Sequence, residues 1–466
     1  MGAAAAAFGG CNLYGVPDDV VDAPGPDGTL IDAEVEAYLK ASNTDAGDGF
    51  GVRVAMSADG STLAVAAMAE ASESTGIDGD QGNSTSAPGF GAVYVFAKTG
   101  GVWAQQAYVK ASIVTQGSFG SGLALSADGD TLAVGAYMDT QPTSIGAVYV
   151  FVRTGTSWAQ QARLLSPNAH DAGFFGNSVA LSADGNTLAA GAYDENSIGA
   201  PGPGQTFAGA VHVYTRSGTL WSHQQGLKGA QTEAYDYVGC DVALSGDGNT
   251  LAFGACGESG GTRGVNGNEL DNSMESAGAV YIAVRAGTTW SQQAYIKPST
   301  VGPRFRFGTS VALSADGQTL AAGTPMEADN EGAVYVFARS GMAWTEHAAV
   351  RAPTRAAGDG FGADVALTLD GSVLLAGAPG KGVSAPGSGA VYELVRDASS
   401  WLPRRSLEAS NPDGGDGFGS SVAITRTGGL AVAGAPYEAS AARGVDGNPD
   451  SNMAMSAGAA YVLALP

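Results

Sequence analysis

Apolar residues in this chain come in short runs that alternate with small or polar positions, each run ending at Gly or Asp-Gly. Between Phe119 and Ser166 there are three such runs, Gly122–Ser126, Thr131–Ala136 and Ala147–Arg153, and a fourth follows Trp158. Val, Leu, Tyr and Phe at alternating positions between turn residues predict β-strands. One unit is therefore expected to be four short antiparallel strands joined by tight turns.

The unit recurs along the chain. A Phe-Gly start stands at Phe50, Phe119, Phe175, Phe307, Phe361 and Phe418, and Val238-Gly239 fills the remaining place. A Gly-Ala-Val-Tyr-type strand follows each start, at Gly91, Gly146, Gly209, Gly278, Gly332, Gly389 and Gly458. That makes seven copies, with the length variation lying mostly between the second and third strands. One four-stranded sheet cannot cover both its faces, whereas seven packed radially cover one another. The expected fold is all-β, a seven-bladed propeller. Strand one of each blade would line the central channel. By antiparallel alternation, the second-to-third loops and fourth-to-first connections share one face of the ring.

The seventh copy ends without a fourth strand. The segment from Glu36 to Ser42 (EAYLKAS) matches that from Gln106 to Ser112 (QAYVKAS), an outer strand of the first copy. The N-terminal strand is therefore expected to complete the last blade, closing the ring and covering a sheet edge.

The pattern FGxSVALS…LAVGA…GAVYVF resembles the FG-GAP repeat of integrin-α-type propellers, in a bacterial form, over roughly residues 33–466. The resemblance implies cell-surface adhesion or recognition, often with calcium held in a D-x-D-x-D-G loop between strands one and two. Here that loop shrinks to Ser-Ala-Asp-Gly at Asp59, Asp128, Asp184 and Asp316. Only Asp-Gly remains at Asp247 and Asp370, and Thr427-Gly428-Gly429 has no acid. One carboxylate per turn cannot supply the ~6–8 oxygens calcium takes, so the family's calcium residues do not carry over.

Charge narrows the partners. With net charge −23 over 466 residues, the chain lacks the basic footprint of a nucleic-acid binder. Charged residues make up only 14 %, so the surface must be rich in Ser, Thr, Gly, Gln and Asn, which suits an extracellular or cell-envelope setting. No apolar run reaches the ~18 residues a membrane-spanning helix needs. Phe8-Gly9-Gly10-Cys11 resembles a bacterial lipobox, with Phe8 for the usual Leu and no basic residue before it. Residues 1–28 are read as a signal or lipobox-like segment and flexible tether, with Cys11 as the lipidation site of an outer-membrane lipoprotein. Residues 29–466 are read as the propeller. The only membrane contact expected is that anchor, and the chain is expected to be a monomer.

The other two cysteines, Cys240 and Cys256, fall in strands one and two of blade four. If Ser245 opposes Thr250 or its neighbour, paired positions sum to 495–496, which would set the two cysteines face to face. In an oxidising compartment they are expected to form a disulfide. The competing reading is two reduced core thiols.

Long second-to-third loops occur in blades one, four and seven. They carry Asp78 and Asp80; Asn266, Asn268 and Asp271; and Asp446, Asn448, Asp450 and Asn452. Oxygen side chains at every second residue can turn toward one hard cation, so these residues are the expected calcium ligands, with Glu70, Glu258 and Glu438 following strand two in the same blades. The competing reading is a polar loop held by Asx turns. The acidic approaches to Phe-Gly (Asp45, Asp48, Asp171, Asp236, Asp359, Asp413 and Asp416) are read as turn formers whose carboxylates cap backbone N–H groups. Trp103, Trp158 and Trp290, in W-x-Q-Q-A segments, are read as outer-strand residues packing between blades. Arg304 and Arg306 replace an acidic approach in blade five and are read as solvated charges, the competing reading being that they select an anionic ligand at the ring entrance. No catalytic constellation emerges. The four His fall in different blades, and Gly257-Glu-Ser259-Gly-Gly261 lacks the strand-to-helix setting of a nucleophile elbow. The expectation is a non-catalytic recognition or adhesion module that binds a protein or glycan at its loop face. The alternatives are an enzyme using the channel mouth and a purely structural envelope protein.

Overall fold

A computed structural model describes residues 34–83, 89–113, 118–139, 146–168, 173–196, 206–398 and 400–465. Cys11, the expected tether and Asp171 lie outside the described residues. Seven antiparallel sheets form the expected blades. Blade two runs Phe119–Leu125, Thr131–Ala136, Ala147–Thr154 and Ser157–Leu164. Its first strand therefore begins at the Phe of Phe-Gly, three residues ahead of the expected run. The last sheet is closed by the N-terminal strand. Glu34–Leu39 pairs antiparallel with Ala459–Ala464, setting Tyr38 opposite Tyr461.

The first turn of each blade shows what its short motif is for. In blade one Asp59 Oδ1 accepts from Ser57 Oγ (2.7 Å) and the Ser61 N–H (2.9 Å), while Thr62 N–H donates to Ser57 Oγ (2.9 Å). The same arrangement recurs around Asp128, Asp184, Asp247, Asp316 and, with Thr368 for Ser, Asp370. Partial burial raises Asp59, Asp184, Asp247 and Asp370, but the hydroxyl and backbone donors hold these four below the usual carboxylate range. Each carboxylate is consumed by its own turn.

The Phe-Gly start and the Gly-Ala-Val-Tyr strand meet between blades. Gly458 of blade seven forms a parallel bridge with Phe50 of blade one, and the equivalent glycines bridge Phe175, Val238, Phe307, Phe361 and Phe418. Gly458 has φ +81°, and a Cβ there would sit 2.0 Å from the Phe50 carbonyl oxygen. Only glycine allows so close an approach. Seven apolar clusters occupy the seven blade junctions. Leu63 and Val65 of blade one pack with Val432 and Val462 of blade seven, while Ala64 and Ala66 on the opposite face pack with Leu132 and Val134 of blade two. That is why strand two is buried along its whole length in blade one.

The tryptophans pack between blades as expected, and they also hydrogen-bond across the junction. Nε1 of Trp158, Trp221, Trp290 and Trp344 donates to the side-chain oxygen of Gln106, Gln161, Gln224 and Gln293 in the preceding blade (2.7–3.0 Å). Trp103 donates to Glu36 of the N-terminal strand at 2.8 Å. The acceptor stands three residues after the preceding blade's own tryptophan, so the second Gln of W-x-Q-Q is the cross-blade acceptor. In blade five His347 takes that place, and among the described residues Trp401 Nε1 and His347 Nδ1 are both without a partner.

Candidate functional site

The three long loops fold back on the outer edge of their own blades. Asp446 N–H donates to the Tyr38 carbonyl (2.8 Å) and its Oδ1 accepts from Tyr38 N–H (2.9 Å). Asp78 makes the same pair of bonds with Tyr108, and Asn266 with Tyr295. In each case the side chain completes a two-residue ladder on the outermost strand, which is why Asp and Asn are interchangeable there. The other oxygens close local turns. Asp80 accepts from Gly82 N–H, Asn268 from Leu270 N–H and Asn448 from Asp450 N–H. Asp271 accepts from Ser273 N–H, Thr262 Oγ1 and Gly261 N–H, and these donors hold its carboxyl down to about 2. Asn452 donates to Asp413. Among the described residues no three His, Cys, Asp or Glu side chains are grouped to hold a metal ion.

Glu70, Glu258 and Glu438 point inward. Glu70 pairs with Lys110 (2.5 Å), Glu258 with Lys297 (2.6 Å) and Glu438 with Lys40 (2.7 Å), and all six side chains are at most 5 % exposed. The place is the third residue after strand two in every blade. Asp139 meets Arg163, Glu195 meets His212, and Glu327 meets Arg351. In blade six the polarity is reversed, with Lys381 meeting Asp359. Sequence reading noticed three of these acids only as neighbours of the expected calcium loops. The sevenfold spacing was the signal for a buried ion pair. The approach aspartates behave as expected of turn formers. Asp48, Asp236, Asp359 and Asp416 accept from the N–H three residues earlier. Burial pushes Asp48 and Asp236 up to about 7 and Asp416 to about 6.

In blade three Ser166, His212 and Glu195 lie within 2.8–3.3 Å of one another, a grouping that resembles a nucleophile, base and acid. All three are buried, His212 Nδ1 faces His223 (3.2 Å) on the next strand of the same sheet, so two of the four His share one blade rather than falling in different blades, and the cluster fills the slot of the Lys–Glu pairs. Its role is structural. Ser259 has no base beside it. Its Oγ faces the Gly257 carbonyl and accepts from Ser276 N–H.

The most developed concavity is one that sequence reading did not find. A cavity of about 610 Å³ opens at the loop-side mouth of the channel, lined by Tyr137, Tyr193, Phe207, Tyr237, Arg53 and Arg306 among others. Phe174 stacks on Tyr193 (centroids 5.4 Å apart, 23° between planes) and packs edge-on to Tyr137. Tyr237 stacks on Phe207 at 6.4 Å. Burial raises Asp194 at its wall to about 6 and Tyr193 to about 12. The residue before Phe-Gly is left-handed throughout, and blades one, six and seven use Gly49, Gly360 and Gly417 there. Blades three, four and five place Phe174 (φ +59°), Tyr237 (φ +54°) and Arg306 (φ +53°) in that slot. A side chain in this conformation costs about 1–2 kcal/mol relative to glycine. The misfit between residue and slot was the sequence signal. Of the two arginines read as solvated charges, Arg304 is exposed and pairs with Glu275 (3.2 Å), while Arg306 reaches the cavity.

Cys240 and Cys256 form part of the cavity wall as free, half-buried thiols. The expected register holds at the closed end of their hairpin, where Val242 faces Phe253. It then slips by a bulge, so that Val238 faces Ala255 and the cysteines are not ladder partners. Instead the Cys256 N–H points at Cys240 Sγ at 3.3 Å.

Two segments, residues 158–214 and 290–337, match the family model of the FG-GAP repeat. Each runs from the tryptophan of one blade's outer strand into the third strand of the next, so the matched unit straddles a blade junction. No curated protein matches the chain significantly.

Proposed function

Since the chain is an FG-GAP-repeat β-propeller, we propose that it is a non-catalytic recognition module, cell-surface or secreted, that binds a protein or glycan through its loop face. The propellers of this family are generally non-enzymatic, and the fold suits an interaction or adhesion role. One observation carries the reading: the two faces of the ring differ. On one face the first turn repeats a single self-satisfied motif in six blades. The loop face concentrates the cavity, the bulky residues in left-handed slots, and exposed apolar side chains such as Tyr235, Leu270, Tyr437, Met453 and Met455. Singly exposed apolar residues are ordinary, but their grouping on one polar-rimmed face marks an interaction surface.

The test is surface plasmon resonance against a panel of matrix proteins and glycans, with variants on either face. Tyr437→Ala with Met453→Ser should weaken capture, and Leu220→Ser with Met342→Ser on the opposite face should not. Equal loss from both pairs, or no capture at all, would refute the reading.

A further inference from the structure

We propose that the cavity at the channel mouth is a binding site for a carboxylated sugar, a uronate at the end of an oligosaccharide. The proposal deepens the loop-face reading above and rests on it. In a chain of net charge −23, this cavity carries two exposed guanidiniums. Arg53 donates to the Val52 carbonyl and lies close enough to Asp241 and Asp364 to favour their charged forms, whereas Arg306 has no carboxylate partner among the described residues. An arginine fork matches a carboxylate in shape and charge. The ring faces of Tyr193 and Tyr237 offer apolar platforms, and the hydroxyls of these two residues donate to no other described side chain. Asn177 at the cavity wall gives its amide protons to the Gly239 and Cys240 carbonyls (3.1 Å each). Flat apolar surface edged by the Tyr193 and Tyr237 hydroxyls suits a pyranose, which offers C–H faces and equatorial hydroxyls together. A plain aromatic acid would leave those polar groups unpaired. The volume falls within the range of small-ligand pockets, ~300–1,000 Å³. Two of the walls, Tyr237 and Arg306, stand in slots where blades one, six and seven keep glycine, a strain of the kind functional sites accept.

The experiment is isothermal titration calorimetry on the full chain at pH 7.5. The probes are a glucuronate-terminated disaccharide, the neutral disaccharide of the same linkage, and phenylacetate. The variants are Arg306→Gly and Tyr237→Gly, which restore the residue the backbone prefers. The expected result is acid binding at least about tenfold tighter than neutral, the scale of one charge-assisted pair. Arg306→Gly should erase that preference. Tyr237→Gly should weaken both sugars about tenfold or more, yet melt no lower than the unaltered chain. Equal affinity for acid and neutral sugars, unaltered binding by either variant, or tighter binding of phenylacetate would overturn the assignment. So would silence toward all three probes while loop-face capture persists. If that capture is also absent, the recognition reading falls with it.

Discussion

Removing the charge of Glu438 tests whether the buried ion pairs govern stability. Lys40 and Glu438 lie 398 residues apart, and their side chains are 0 and 1 % exposed. Glu438 also accepts from the Tyr38 hydroxyl (3.0 Å), the Ser440 N–H and the Asn411 amide. Glu438→Gln keeps the shape and an oxygen but leaves the Lys40 ammonium uncompensated. Breaking one side of such a pair costs about 3–5 kcal/mol. An upper limit follows from proton chemistry, because the fold can escape by releasing the lysine proton. Against an unfolded lysine near 10.4, that release costs about 4 kcal/mol at pH 7.5 and only about 1.2 at pH 9.5. Burial already lowers Lys40, and Glu438 opposes that shift. The sign is therefore fixed: a lysine depressed in the folded state weakens the fold below its unfolded value, and the penalty fades as pH rises toward it. With an unfolding entropy near 2.1 cal/mol/K per residue, 466 residues give roughly 1 kcal/mol per degree. Thermal melts of Glu438→Gln should thus fall about 3–4 °C at pH 7.5 and about 1 °C at pH 9.5, and adding Lys40→Met should recover most of the loss. A drop under about 1 °C at neutral pH, or one indifferent to pH, would show that no charged lysine is trapped there.

Other outcomes follow from the same geometry. Asp48, Asp236 and Asp416 titrate above their unfolded values, so the folded state holds more protons between about pH 4 and 7, and stability should rise as pH falls through that window. His223 and His347, lowered by burial, pull the other way below about 6.5, but two groups do not outweigh three. A melting temperature that is flat or lower at pH 5 than at pH 8 would contradict this. His347→Gln should supply the acceptor missing at Trp401 and gain about 0.5–1.5 kcal/mol, read as a higher guanidinium midpoint. A loss would mean that the junction cannot seat the amide. Asp446→Ala should lower the melting temperature by the same amount with millimolar calcium and with chelator, because its carboxylate completes a backbone ladder; a gap between the two would make that loop a cation site. Burial raises the Cys240 thiol, with Cys256 beside it, so alkylation of Cys240 at pH 8 followed by mass spectrometry should run far slower than in denatured protein, and equal rates would place it in open solvent.

Much of the fold was legible because the ring repeats. Seven Phe-Gly starts and seven Gly-Ala strands report one requirement seven times, the close backbone contact between neighbouring blades. Closure could be read from the likeness of two seven-residue segments, and the turn role of the approach aspartates from Asp-Gly alone. Chemistry was harder to read without its partner. Asp446 and Asn448 alternate as cation ligands do, yet the first matches a tyrosine backbone some 400 residues away, a pairing that no local spacing reveals. Glu258 stood beside an expected calcium loop with no visible role, because its partner Lys297 lies two strands further on. The cavity was invisible for a different reason. Its aromatic residues come from three blades, Tyr137 and Tyr193 just after strand two and Phe174 and Tyr237 just before strand one, and only Phe, Tyr and Arg standing in a glycine slot betrayed the place.

The closing strand also sets an order of events in time. Glu34–Leu39 leaves the ribosome first among the strands, and its partner Ala459–Ala464 leaves last, 420 residues later (459 − 39). At about 5–20 residues per second, its edge stays unpaired for roughly 20–80 s. A bare edge of that kind invites pairing with another chain. Val35, Ala37 and Leu39 alternate with Glu34, Glu36, Tyr38 and Lys40, so charge on alternate positions guards the segment while it waits. The same charges later find their places, Glu36 on Trp103 and Lys40 on Glu438. The latch that holds the finished ring thus doubles as the chain's protection during its own synthesis.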